Sequence, residues 1–173
     1  MKKHILFFIV TAATVCLFFF SCINTENRTG SADMIGQDIT NTADNIRNIA
    51  AITGKDWKLT RVYIGGTDTQ FRRESQPEML RDIYTLKFDG QNVSGTGAPN
   101  LYSAPYTTGE NQTISIMPMR STLMASIFEP VSLSEHAFYS YLQNTGSWKL
   151  ENNNLELISK TDDGREVRLV FQQ

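Results

Sequence analysis

From Asp56 to the C-terminus the chain alternates apolar and polar residues with a period of two. Tyr84-Thr85-Leu86-Lys87-Phe88-Asp89 alternates without a break. Thr113-Ile114-Ser115-Ile116, Trp148-Lys149-Leu150, Leu155-Glu156-Leu157 and Val167-Arg168-Leu169-Val170-Phe171 repeat the pattern. Successive side chains of a strand point to opposite faces, so this period belongs to a half-buried sheet. Asp89-Gly90, residues 152–154 and Asp162-Asp163-Gly164 break the runs with turn residues, which joins neighbouring strands antiparallel. In the opening run Trp57, Leu59 and Arg61 share one parity, with Lys58, Thr60 and Val62 on the other. One stretch has a different period. Ser132-Leu133-Ser134-Glu135 has the form of a capping box, and Ala137, Phe138, Tyr141 and Leu142 then share one helix face before Thr145-Gly146. A shorter helix is expected around residues 121–128. Residues 65–81, with Arg72, Arg73, Glu74 and Arg81, read as the most loop-like connection. The expected fold is mainly β, of α+β type. It is an antiparallel barrel or strongly curved sheet of about seven or eight short strands, closed by one helix.

The N-terminus follows other rules. Lys2, Lys3 and His4 precede an apolar run, residues 5–20, that ends at Ser21-Cys22. Sixteen helical residues span about 24 Å, short of a hydrocarbon core of roughly 30 Å. The layout is that of an export signal. Ser21-Cys22 resembles the lipobox of bacterial lipoproteins, in which the cysteine is acylated and becomes the new N-terminus. Phe19 and Phe20 depart from the usual box, in the manner of relaxed boxes such as those of spirochaetes. An ordinary cleaved signal and an uncleaved anchor are the alternatives. The expected division is a lipoprotein signal over 1–21, a tether with room for a short helix over 22–52, and a domain over 53–173.

Processing before Cys22 removes His4 and Cys16. One cysteine, blocked by lipid, and one histidine, His136, then remain. Such a chain forms no internal disulfide, offers no thiolate nucleophile and supplies no two-histidine zinc site. With 16 basic against 18 acidic residues, no basic excess points to nucleic acid.

The remaining chemical candidates have ordinary readings. His136 sits on the predicted helix without the nucleophile and orienting acid that a general base needs. Asp162, Asp163 and Glu166 surround Gly164-Arg165 and read as a hairpin turn, without calcium-loop spacing. Gly95-Thr96-Gly97 follows a strand, but Pro99 and Pro105 stand where a phosphate loop needs a helix, so a bulge or turn is expected. Arg72-Arg73 reads as solvated loop, or as a contact for an acidic partner or lipid headgroups. Tyr102, Tyr106, Phe128, Phe138, Tyr139 and Tyr141 either pack the core or line an apolar pocket. No catalytic, metal-binding or cofactor-binding residue is assigned, and no cofactor is expected.

The motifs together resemble a known family. Residues 93–106, Val-Ser-Gly-Thr-Gly-Ala-Pro-Asn-Leu-Tyr-Ser-Ala-Pro-Tyr, are similar to the V-x-G-x-x-G-C-N-x-Y-x-G-x-Y pattern of the META/HslJ domain family. Trp57-Lys58-Leu59, Ile114-Ser115-Ile116, Thr122-Leu123-Met124-Ala125-Ser126, Glu135 through Leu142 and the closing hairpin follow in the family's order. The resemblance covers residues 56–171. The family's two cysteines fall at Pro99 and Ser126, and two of its glycines at Ala98 and Ala104. The paired loss is what the resemblance leads one to expect if the family's two cysteines normally contact each other.

The resulting expectation is a non-enzymatic protein of the cell envelope, lipid-anchored through Cys22 to a membrane. The outer membrane, on its periplasmic face, is the favoured site. The resemblance implies a stress- or envelope-related interaction module with a protein partner. The alternative is a carrier or sensor of a hydrophobic ligand held in the barrel.

Overall fold

In a computed structural model of the chain, the structure describes residues 49–125 and 129–173. The signal, Cys22 and most of the tether lie outside the described residues. Among the described residues ten strands form: β1 Trp57–Ile64, β2 Thr67–Asp68, β3 Thr85–Phe88, β4 Asn92–Thr96, β5 Leu101–Thr108, β6 Ile114–Ile116, β7 Arg120–Ser121, β8 Ser147–Glu151, β9 Asn154–Lys160 and β10 Glu166–Gln172. The helix α1 is Glu135–Gln143. Eight strands follow the order β6-β5-β4-β3-β1-β10-β9-β8, with β2 added to β1 and β7 to β5. The two ends of this path meet at an antiparallel bridge between Thr113 and Ser147, where Ile114 N–H donates to the Gly146 carbonyl at 3.1 Å. The sheet is therefore a nearly closed antiparallel barrel with one seam, as the alternation predicts.

The turns show why the strands reverse where they do. Asp89 accepts N–H bonds from Gln91 and Asn92 at 3.0 and 2.7 Å, and Gly90 takes a φ of 99°. Asn152 and Asn153 both have positive φ between β8 and β9, the backbone that matches strand twist in a two-residue hairpin. Inward positions then make one core. On β5 these are Tyr102, Ala104 and Tyr106. On β1 the parity changes. A register shift between Leu59 and Arg61 brings Val62 inward, so Arg61 does not continue the line of Trp57 and Leu59. An added residue in one strand reverses the faces of everything beyond it. Packing begins inside the expected tether, where half-buried Ile49 already lies against the core. Ile52 is wholly buried and its carbonyl accepts the Trp57 indole N–H at 3.0 Å.

Three local expectations are corrected. The helix is capped by Ser134, whose hydroxyl accepts Ala137 N–H at 3.2 Å, and not by a Ser132–Glu135 box. Leu133 is buried and its carbonyl accepts the Tyr84 hydroxyl at 2.6 Å, which holds the preceding residues out of the helix. No helix forms over residues 121–125. Arg120–Ser121 pairs with β5, and Thr122 N–H continues that pairing to the Leu101 carbonyl at 3.0 Å. Residues 126–128 lie outside the described residues.

Residues 65–81 form a largely exposed, loop-like connection, but Arg72 and Arg73 are not solvated charges. Phe71 is wholly buried. Arg72 forms a forked pair with Asp68 at 2.8 and 2.5 Å. Arg73 turns its guanidinium onto four carbonyls, those of Leu59, Arg81, Ile83 and Tyr84. These carbonyls stand where short β3 leaves β1 and the ladder ends. The arginine replaces the missing strand with donors, and burial pulls its guanidinium below its usual value. By the scale of hydrogen bonds to charged groups, Arg73→Met should cost about 2–3 kcal/mol in urea unfolding.

The Arg72 hydrogen bond holds the Asp68 carboxyl down at about 2. A depressed carboxyl contributes stability that is complete above its unfolded value, about pH 4, and lost as pH falls through the folded value. The thermal midpoint of the native chain should therefore fall more steeply between about pH 4 and 2 than that of Asp68→Asn. Parallel curves would show that the pair is open in solution.

Candidate functional site

The residues of the 93–106 motif meet the start of α1. Gly97 N–H donates to the Asn100 carbonyl at 2.6 Å, closing a tight loop at the end of β4. Glu135, in the first turn of α1, reaches across this loop. Its carboxylate accepts Ala98 N–H at 2.5 Å, Asn100 N–H at 2.8 Å and the Asn100 side-chain amide at 2.7 Å. The Tyr139 hydroxyl, one turn on, is 3.1 Å from both this carboxylate and the Asn100 carbonyl. Burial, then the Glu135 charge, raises Tyr139 above the usual phenol range and keeps its proton in place as a donor.

Asn100 is buried and carries the network onward. Its amide donates to the Met124 carbonyl at 3.1 Å, and its side-chain oxygen accepts from the Thr122 hydroxyl and Met124 N–H at 2.8 and 2.7 Å. One side chain thus fastens helix, loop and outer strand together. Gly97 has no side chain because there is no room for one. A Cβ would lie 2.3 Å from the Tyr139 hydroxyl and 2.4 Å from Glu135 Oε1. At Gly95 a Cβ would lie 2.0 Å from the Thr85 carbonyl oxygen, which accepts the Tyr102 hydroxyl at 2.7 Å. The glycine pair serves close approach within the wall of the barrel, and Gly95-Thr96 lies on β4 itself.

The other sequence candidates are scattered. His136 is exposed on α1. Asp162, Asp163 and Gly164 form the β9–β10 turn, where Asp163 accepts from Arg165 at 2.8 Å and from the Thr161 hydroxyl. Glu166 starts β10. No three His, Cys, Asp or Glu residues among the described ones are grouped to hold a metal ion. Of the aromatic set, Tyr102, Tyr106 and Phe138 are buried in the core, while Tyr139 and Tyr141 are half-buried. Phe128 and Ser126 lie outside the described residues. Pro99 adjoins Asn100 in the loop, so the two motif segments that hold Pro99 and Ser126 are joined through Asn100 and Met124.

Among the concavities of the described residues, two adjoin the motif residues. A cleft of about 550 Å³ lies across β1, β3, β4 and β5, with Leu86 and Tyr102 in its floor and Leu101 at its rim. Lys58 and Asp82 approach to 3.7 Å and Lys87 and Asp56 to 3.1 Å beside it. A second groove of about 270 Å³ runs between β7 and the outward face of α1. Asn100 and Glu135 were not expected to bond each other, although both stand in the motifs quoted above. Their types signal polar contacts, but 35 residues separate them.

Residues 50–173 match the family model of the META domain. No curated protein matches the chain. Among solved structures, an NMR structure of a protein from Burkholderia xenovorans is 20% identical, with a TM-score of 0.49 over 72% of this chain and 86% of that one. A crystal structure of a DUF4847 family protein from Bacteroides vulgatus is 12% identical, with a TM-score of 0.49 over 70% of this chain and 93% of that one.

Proposed function

The chain belongs to the META domain family, and on that premise we propose that it is a non-enzymatic interaction module of the cell envelope, held to a membrane by lipid on Cys22. The observation that supports this reading is the filling of the barrel. Trp57, Tyr84, Phe88, Phe138 and Phe171 are wholly buried in one continuous core. Small barrels filled in this way leave their surface, rather than their interior, to meet other molecules. The surface here is shaped by the Asn100–Glu135 network, which holds Thr122–Met124 rigid while Leu123 stays 98% exposed.

Export and acylation at Ser21-Cys22 account for the apolar N-terminus and the polar stretch after it. One acyl chain binds a bilayer only marginally, and several hold it firmly. In cells fed a labelled fatty acid, the label should enter the native chain and not Cys22→Ser. Equal labelling of both would remove the anchor from this reading.

A second reading, carriage of a hydrophobic ligand, draws on the outer cleft of about 550 Å³ with its apolar floor. That size lies within the roughly 300–1,000 Å³ of small-molecule sites. Native mass spectrometry of the purified chain separates the two: a co-purifying lipid favours carriage.

A further inference from the structure

A polar cleft of about 360 Å³ opens on the outer face of β1, β10 and β9. Thr60, Arg61 and Tyr63 of β1 line it with Arg168 of β10, Glu156 of β9 and Glu74. The register shift of β1 makes this site. Leu59 stands opposite Phe171 and Arg61 opposite Val170, so Thr60 is the added residue. Without it, Arg61 would take the inward parity of Trp57 and Leu59, both wholly buried. A bulge re-aims a side chain at a cost in ladder bonds, and bulges gather beside functional sites.

Arg168 stands opposite Tyr63 and lays its guanidinium over that ring at 4.6 Å. Stacking on an aromatic face holds the arginine fork in place. Its Nη1 lies 3.9 Å from Glu156 Oε2, beyond hydrogen-bond distance. The two side chains are 39% and 20% exposed. Among the described residues, the buried Arg168 Nε has no acceptor. A guanidinium and a carboxylate thus stand side by side, largely out of water, each with bonding capacity that the other does not use. A purely structural ion pair would close to contact and gain charge-assisted bonds. Beside them Arg61 does close, donating through Nη1 to Glu74 Oε1 at 3.0 Å. Lys149, opposite Glu156 on β8, is taken up by Glu151 at 2.7 Å.

The signs alternate across the cleft, Arg61 and Arg168 against Glu74 and Glu156. A simple anion that met the arginines would also meet two carboxylates, and a simple cation the reverse. A molecule with an ammonium next to a carboxylate avoids both repulsions. Its carboxylate accepts from the Arg168 fork, and its ammonium donates to Glu156. The 3.9 Å between those two groups suits charges carried close together on the ligand. The cleft is at the lower end of small-molecule sites, roughly 300–1,000 Å³.

We propose that the β1–β10–β9 cleft binds a free α-amino acid as its zwitterion, held between Arg168 and Glu156. This goes beyond the interaction module and adds a small-molecule site on a wall that the motif of residues 93–106 does not reach.

The test titrates the isotope-labelled full chain, in detergent micelles at constant ionic strength, with glycine, acetate, methylammonium and O-phosphoethanolamine. Glycine should shift the Arg168 Nε–H and Val170 amide resonances saturably, with a Kd at least about tenfold below that of each other probe. Arg168→Lys keeps the charge but loses the fork, and Glu156→Gln loses the acceptor charge. Each should weaken glycine at least about tenfold, read at the Val170 amide, while the other amide resonances stay in place and show an intact fold. Lys87→Ala, on β3, should leave binding as it is. A glycine titration without a saturable shift overturns the site. Acetate binding as tightly as glycine overturns it too, since the cleft would then be a plain anion contact. Tighter binding of O-phosphoethanolamine overturns the amino-acid class, and shifts that persist in both variants place binding elsewhere. Fatty-acid labelling at Cys22 is a separate readout, so this site can fail while the anchored module stands.

Discussion

Truncation of Phe138 to alanine should destabilise the protein by about 3–5 kcal/mol, the usual cost of removing a buried phenylalanine. Phe138 is wholly buried. Its ring lies 4.7 Å from Tyr84 and 6.0 Å from both Tyr102 and Tyr139, centre to centre. With Leu142, also wholly buried, it is the contact through which α1 covers the barrel. A single domain has only about 5–15 kcal/mol in total, so the loss is a large fraction. His136, two residues earlier and exposed, is the control: His136→Ala should shift stability by less than about 0.5 kcal/mol. Urea unfolding of both variants measures the contrast. Equal effects would mean that the helix does not close the core. A harmless His136→Ala that nevertheless abolished a cellular phenotype would reopen the non-enzymatic reading.

Loss of the Glu135 carboxylate should be nearly as costly. Glu135→Ala strands the N–H groups of Ala98 and Asn100 and the Asn100 amide, which it accepts at 2.5–2.8 Å. Bonds to a charged group contribute about 1.5–3 kcal/mol each, but members of one network do not add. The expected loss is about 3–4 kcal/mol. Glu135→Gln should fall between, since its oxygen still serves the two backbone N–H groups while its amide faces that of Asn100. Hydrogen exchange adds a local readout. The Thr122 and Met124 amides, held by Leu101 and Asn100, should exchange faster in Glu135→Ala. A cost under about 1 kcal/mol would show that water substitutes for the network.

The two variants act on the same helix through different physics, and they mark what was readable before folding. Phe138 and Leu142 were legible because helical periodicity puts them on one face. Glu135 was read as half of a capping box, a local role. It instead serves a loop 35 residues away, and the cap falls to Ser134. Arg73 was read as a solvated charge for the same reason, since nothing near it in sequence announces four carbonyls converging beside the start of β3. Gly95 and Gly97 were legible as non-helical, but not as the points where Tyr102 and Tyr139 need the space.

The sequence by itself determined the β period, the hairpins at Asp89-Gly90 and residues 152–153, the apolar face of the helix and the family pattern. Each depends on residues within a few positions of one another, where strand and helix geometry translate spacing directly into direction. Tertiary structure alone decided the parity change after Leu59, the burial of Phe71, and the bonding of Arg73, Asn100 and Glu135. These follow from which backbone groups remain unpaired once a twisted sheet of unequal strands curls on itself. That remainder is a property of the closed barrel, because a buried donor or acceptor finds its partner in space and not along the chain.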